Sequence, residues 1–252
     1  MNAPARMLAL FMSDLHLQAS HPRTTEAFFR FLSERAPNAG RLYLLGDIFE
    51  YWAGDDDLAD PFNAAIAAAL RRLSDSGTAV YWMAGNRDFL AGAGFAGAAG
   101  LALLAEPHVT SFGGTRIALV HGDAQCTGDE KYMAFRAQVR DPAWQQQFLA
   151  MPLAQRKAII AGLREGSRAS HGEKSYEIMD VTAAAVDALH LAAGADVIVH
   201  GHTHRPALHI DGARRRYVLP DWELDEEPPR GGWIAVDADG VITRHGLDGQ
   251  IL

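Results

Sequence analysis

The chain has 252 residues, 48% hydrophobic and 21% charged, the composition of an ordinary soluble globular protein with room for one large α/β domain or a domain carrying an insertion. A formal net charge of −8 gives no ground for nucleic-acid binding, and the lone Cys126 excludes an internal disulfide and fits a reducing compartment. The short polar N-terminus carries no visible signal peptide, and no apolar run approaches the roughly 20 residues that span a bilayer, so a cytoplasmic protein is expected.

Met7 to Met12 (MLALFM) reads as a fully apolar strand that runs directly into Ser13-Asp14-Leu15-His16. Asp-x-His places both side chains on one face of an extended segment, as two ligands of one ion require; a polar strand end looks the same. Pro22 to Glu34 reads as a helix with Phe28, Phe29, Phe31 and Leu32 on its apolar face. Arg41 to Leu45 is a second buried strand, and Gly46-Asp47 ends it with a carboxylate at the edge where open α/β sheets keep their chemistry. The loop from Phe49 to Asp57 is aromatic and acidic. Asp55, Asp56 and Asp57 read as a solvated face or as the cap of a helix that begins near Pro61 and runs to about Leu73.

Ala79 to Ala84 predicts a third buried strand, ending in Gly85-Asn86-Arg87-Asp88, and Ala91 to Ala102 a closely packed helix. A fourth strand, Arg116 to Val120, ends in His121-Gly122-Asp123. From about Gly128 to Ser175 strand patterns give way to helices over Asp129 to Val139, Ala143 to Ala150 and Leu153 to Glu165. That stretch holds eight Lys/Arg against five Asp/Glu in an otherwise acidic chain. It reads equally as a helical excursion with its own small core and as a lid that meets something both anionic and greasy. Ser175 to Leu191 predicts another helix, and Asp196 to Val199 a fifth strand ending in His200-Gly201-His202-Thr203-His204. Short β segments (Ala207 to Ile210, Arg216 to Leu219, Trp233 to Val236) close the fold, with no sign of a second independent domain.

Five strand ends thus carry metal-type side chains: Asp14 and His16, Asp47, Asn86, His121, and His202 with His204. Three oxygen donors and four imidazoles are too many for one first-row ion; shared through a bridging carboxylate, they suit two ions about 3.5 to 4 Å apart. Imidazole and oxygen donors without thiolate favour Mn²⁺, Fe or Zn²⁺. Cys126, with no partner, reads as structural.

This ordered set resembles the calcineurin-like metallophosphoesterases, whose blocks are D-x-H, GD, GN-[HR]-[DE], H and GHTH, all present between Asp14 and His204. The finer pattern is similar to the branch of that family that cleaves UDP-2,3-diacylglucosamine in lipid A biosynthesis. It comprises Ser13 to Leu17, Gly46 to Glu50 with Trp52 and Gly54 to Asp57, Gly85 to Phe89, His121 to Asp123 with Cys126-Thr127 and Tyr132-x-x-Phe-Arg136, Ile178 to Val181 and Gly201 to Pro206.

The resemblance implies an αββα sandwich of two mixed sheets, with a core of 1–127 and 176–252 and a helical lid inserted at 128–175. It implies one Mn²⁺ on Asp14, His16, Asp47 and His204, and another on Asp47, Asn86, His121 and His202. Catalytic roles fall to Asn86 and Arg87. Substrate contacts fall to Asn86, Arg87, Asp129, Ser167, Lys174 and His202, with His171 where relatives carry asparagine. Trp52 is expected beside the substrate, and peripheral attachment to the cytoplasmic face of the inner membrane follows, with no protein partner predicted.

Arg87 adds an argument of its own. A guanidinium stays protonated and cannot act as a general acid, so it suits a leaving group that needs no proton. A phosphate monoester, with a second pKa of about 6, is such a group, and diphosphate cleavage releases one. A salt-bridged structural arginine is the plain alternative. Rival functions are nucleotide diphosphate-sugar hydrolysis, cyclic-nucleotide hydrolysis, or a non-catalytic metal-binding scaffold.

Overall fold

Strands that are apolar on both faces need cover on both sides, and two packed sheets flanked by helices supply it. The computed structural model describes residues 7–171 and 180–252, with side chains in its sixth helix described up to residue 164. The first sheet has the order β11 (Ile242–Gly246), β10 (Gly232–Val236), β1 (Met7–Met12), β2 (Ala39–Leu45), β3 (Ala79–Met83), β4 (Ala102–Leu104). β1 to β4 run parallel and β10 and β11 antiparallel. The second sheet is β5 (His108–Phe112), β6 (Thr115–Leu119), β7 (Val197–His200), β9 (Arg214–Val218), β8 (Ala207–Asp211), with β6, β7 and β9 parallel.

Alternation along each strand divides the core. Phe11, Tyr43, Leu45 and Met83 point between the sheets and meet Phe112, Ile117, Leu119 and Val199. Phe11 stacks on Tyr43 with ring centroids 5.0 Å apart and meets the edge of Phe112 at 6.1 Å. Leu10, Met12, Leu42, Leu44, Val80 and Trp82 face the other way, onto α1 (Pro22–Arg30), α2 (Pro61–Asp75) and α3 (Ala93–Ala99). Against the outer face of the second sheet, α7 (Ala183–Ala193) packs Leu189 and Ala193 on Ala118, Val120 and Ile198.

Between β6 and α7 come α4 (Glu130–Val139), α5 (Pro142–Leu149) and α6 (Leu153–His171). Phe148 joins the main cluster with Trp52 and Phe95, and Trp144, Met151 and Ile160 pack against it. Through these side chains α5 and α6 rest on the main core.

Several expected boundaries move, each for a local reason. The helix from Pro22 is α-helical only to Arg30 and finishes in a π-turn, Phe31–Arg35. Its own start has no capping side chain; Asp225 supplies the cap from across the fold, accepting from Arg23 N at 3.0 Å and Thr24 N at 2.9 Å. The Gly/Ala-rich helix is shorter than expected, because Gly100 turns left-handed (φ 69°) and stops it. Of the helix expected over Ser175 to Leu191, residues 175–179 lie outside the described residues; among the described ones α7 begins at Ala183, where Thr182 caps it by accepting from Ala185 N. Just before it, Asp180 is held at 2.6 Å by Arg205.

Candidate metal centre

Each of the seven expected ligands follows the carboxyl end of a strand: β1, β2 and β3 in one sheet, β6 and β7 in the other. The single shared edge expected from sequence is thus the joint end of two sheets. Main-chain bonds stitch the loops together there: Asp14 N donates to Gly46 O (3.0 Å), His16 N to Asp47 O (3.0 Å) and Gly201 N to His121 O (2.8 Å). His202 N crosses between sheets to Asp14 Oδ2 at 2.8 Å. Such close approach explains two glycines. A Cβ on Gly85 would overlap the main chain and carboxylate of Asp47, and one on Gly201 would overlap Ser13 and Asp14.

Among the described residues, every non-glycine with φ in the left-handed region is an expected ligand: Asp14 (53°), His16 (47°), Asp47 (52°), His202 (67°) and His204 (54°). Each such residue costs about 1–3 kcal/mol, and such strain concentrates where function over-determines the backbone.

Two ligand clusters result. In each of Asp14–His16–His204 and Asp47–His121–His202, the donor atoms lie within 4.8 Å of one another. Their chemistry fits a cation. His16 Nδ1 donates to the Glu50 carboxylate at 2.9 Å, which leaves His16 Nε2 bare. That atom faces His204 Nε2 at 3.2 Å, and His204 Nδ1 is turned toward Asp221. Asp14 Oδ1, 3.6 Å from His204 Nε2, is buried and meets no hydrogen-bond donor. Three electron-pair donors thus converge with too few hydrogens between them.

The second cluster repeats the pattern. A neutral His121 donates from Nδ1 to Leu45 O (2.8 Å), so its Nε2 faces Asn86 Oδ1 at 3.0 Å and Asp47 Oδ2 at 3.7 Å, both acceptors. Burial disfavours a charged His121, yet the carboxylates of Asp47, Asp14, Asp123 and Glu106 outweigh it and raise its pKa to about 9. A proton there balances the surrounding carboxylates, as a bound cation would. Burial, with the neighbouring His121, pushes His202 down to about 3, the neutral form that a ligand needs.

The sequence profile of the calcineurin-like phosphoesterases matches residues 7–206. The chain belongs to that family. Within it, the UDP-2,3-diacylglucosamine hydrolase of Chromohalobacter salexigens is 48% identical over 237 residues, covering 92% of this chain and 94% of the relative. The enzyme of the same name from Aromatoleum aromaticum is 50% identical over 223 residues, covering 87% and 91%. Among solved structures, vacuolar protein sorting 29 of Cryptosporidium parvum is 13% identical with a TM-score of 0.47, covering 98% of this chain and 95% of that one.

Around the phosphoesterase ligands stand residues to which the motifs assigned no role, and Glu106, which no motif contained. Asp88, fully buried, accepts from Gly85 N (2.8 Å) and Ile48 N (2.9 Å), locking two ligand loops together; burial and the charge of Asp47 raise its pKa to about 6. Asp123 accepts from Tyr132 Oη and Arg136 Nε, both at 2.8 Å, and Arg136 reaches on to Glu106 at 3.1 Å. Glu106 in turn accepts from His121 N at 2.7 Å. The Tyr132-x-x-Phe-Arg136 motif therefore clamps α4 onto the His121 loop. Cys126 is buried and its thiol is pushed up to about 12, as an inert structural cysteine requires.

Of the expected substrate contacts, Asn86 and His202 lie in the second cluster, and Asp129 caps α4 by accepting from Tyr132 N at 3.0 Å. Arg87 N donates to Asp47 Oδ1 at 2.8 Å. Among the described residues its guanidinium makes no ion pair, and its Nε is buried without a hydrogen-bond partner. Against the cost of burial, its charge, with those of His16 and Arg164, holds the Glu50 carboxyl low. The expectations for Ser167, His171 and Lys174 concern side chains outside the described residues. Trp52 is a correction: it is buried in the core against Phe49 (4.6 Å) and Phe95 (4.9 Å), not exposed beside a ligand.

Linkage gives a direct check. His121 has a pKa raised from 6.5 to about 9, so its contribution to stability is complete below pH 6.5 and is lost as pH rises through 9. The thermal midpoint of chelator-treated protein should fall between pH 6.5 and 9, and saturating Mn²⁺ should remove that fall because the ion replaces the proton. A metal-free midpoint flat across this window would contradict the charge balance described for His121.

Proposed function

We propose that this chain hydrolyses the diphosphate bond of UDP-2,3-diacylglucosamine, giving UMP and 2,3-diacylglucosamine 1-phosphate in lipid A biosynthesis, with two Mn²⁺ ions. Asp14, His16 and His204 hold one ion, Asn86, His121 and His202 the other, and Asp47 is shared. When bound, the ions supply Lewis acidity toward the phosphoryl oxygens and a nucleophile at neutral pH. The protein's own groups do the rest. His16 and His121 present bare nitrogens because Glu50 and Leu45 O take their other hydrogens, and His204 turns its Nδ1 toward Asp221. Asp88 keeps the Asp47 and Asn86 loops in register. Arg87 offers its N–H groups to phosphoryl oxygens as negative charge grows on them. It has no proton to give, and the departing phosphate needs none.

The single observation that carries this reading is the Arg87 guanidinium, unpaired among the described residues, on a loop bonded to Asp47. The relatives' substrate supplies its chemical class. With Mn²⁺ added, purified protein should turn over UDP-2,3-diacylglucosamine and not cyclic AMP, and chelation should abolish turnover. Arg87→Ala should lower kcat about 10²–10³-fold, as loss of a charge-stabilising donor does elsewhere. Fully metal-loaded protein that leaves the lipid nucleotide intact, or an Arg87→Ala variant with wild-type kcat, would overturn the reading.

Residues 128–175 serve in this proposal as the lid over the acyl chains and as the contact with the inner membrane's cytoplasmic face. No helix among the described residues is long and apolar enough to cross a membrane. The helices instead expose isolated apolar side chains, Leu149 (40%), Leu163 (48%) and Ile159 (37%), beside basic residues. Anionic lipid vesicles should therefore co-sediment the protein at low salt and release it as salt rises. No co-sedimentation at any salt would remove the membrane part of the proposal.

A further inference from the structure

Glu50 stands three residues beyond Asp47, outside both ligand clusters, and is buried. Its two carboxylate oxygens face opposite ways in the architecture. Oε2 accepts from His16 Nδ1 at 2.9 Å, and Oε1 accepts from Arg164 NH2, which α6 brings from 114 residues further along the chain. Both ends are fixed independently: Glu50 N donates to Leu17 O at 3.1 Å, and the Arg164 guanidinium lies over the Tyr51 ring, 5.6 Å from its centroid. A continuous line of contacts therefore runs from α6 through one carboxylate to an imidazole of the first ligand cluster.

The orientation of a metal-ligating imidazole is set by the acceptor on its other nitrogen. That acceptor is held here by a helix outside the two sheets. We propose that Glu50 is a positioning residue for His16, and that Arg164 couples the seating of α6 on the core to ion binding at the Asp14–His16–His204 cluster. The pairing with Arg164 fixes the plane of the carboxylate and hence the direction from which His16 Nδ1 is held. With α6 lifted, the carboxylate loses the Arg164 clamp and His16 loses its fixed angle. Coupling of this kind is reciprocal, so an ion in the cluster also holds α6 down. Substrate access under the helix and metal retention are then linked through one side chain. The inference rests on the reading that this cluster holds an ion.

The test is Mn²⁺ binding to the full-length, chelator-treated protein, followed by electron paramagnetic resonance of the free ion, with no assay of activity. Wild-type protein should bind two ions per chain; fewer would refute the two-ion reading itself before the coupling is reached. Given two ions, Glu50→Gln should weaken one of them about 10–100-fold and leave the other within about twofold, the usual range for a lost outer partner. Arg164→Met, on a partly exposed side chain, should weaken the same ion several-fold, and Arg164→Lys should recover part of the loss. The double variant should bind no more weakly than Glu50→Gln alone, because both substitutions break one chain of contacts. The unaffected second ion reports an intact fold in each variant. Hydrogen exchange at 158–164 should slow on adding Mn²⁺ in wild type and not in Glu50→Gln. Wild-type affinity in Arg164→Met, additive losses in the double variant, or weakening of both ions together would overturn the coupling.

Discussion

Asp14 is completely buried with one carboxylate oxygen that meets no donor, and Asp47 is nearly as deep at the end of the neighbouring strand. Carboxylates in such places cost several kcal/mol each unless positive charge meets them. The fold gathers imidazoles around them, then withholds the hydrogens that would satisfy the contacts. His16, His204 and His121 each turn one nitrogen toward an acceptor elsewhere and leave the other facing its neighbours. A cation resolves this surplus of electron pairs. The left-handed backbone at five of the seven ligands is the strain that this convergence requires.

The arrangement depends on two sheets and not one. Three parallel strands of the first sheet and two of the second end at the same level, and the packing of Phe11, Tyr43 and Phe112 between them sets their separation. The helices α4 and α6 close on this joint by charge. Asp123 and Glu106 hold α4 through Arg136, while Asp56 and Asp57 take Arg156 and Lys157 of α6. Asp55 accepts from Gly92 N at 2.9 Å and Gly94 N at 2.8 Å, capping α3. The acidic run is therefore not the cap of α2, which Asp60 provides, and even its exposed Asp56 is paired, with Arg156. It is the strip on which two helices are seated.

The ligands were legible because each lies within a few residues of the end of an apolar run, several of them marked by glycine. β1 was legible to the residue, since MLALFM is apolar on both faces and can only be a buried strand. The edge strands β4, β5 and β11 left no such trace: they are short, partly exposed and carry polar residues such as His108, Thr110 and Arg244. Pairings between distant positions were equally silent. Nothing in the spacing of Glu50 foretells Arg164, nor in Glu106 the main chain of His121. Trp52 misled. Membership of a family signature suggested a place beside the substrate, but its indole nitrogen finds Asp55 at 3.2 Å and its ring fills the core.

The central claim is that Asp47 is shared by two ions at the joint of the sheets. Anomalous diffraction at the manganese edge, from crystals grown with Mn²⁺, tests it most directly. The account predicts two peaks, one among Asp14, His16 and His204 and one among Asn86, His121 and His202, with the Asp47 carboxylate touching both. A single peak, or two peaks of which Asp47 contacts only one, would contradict it.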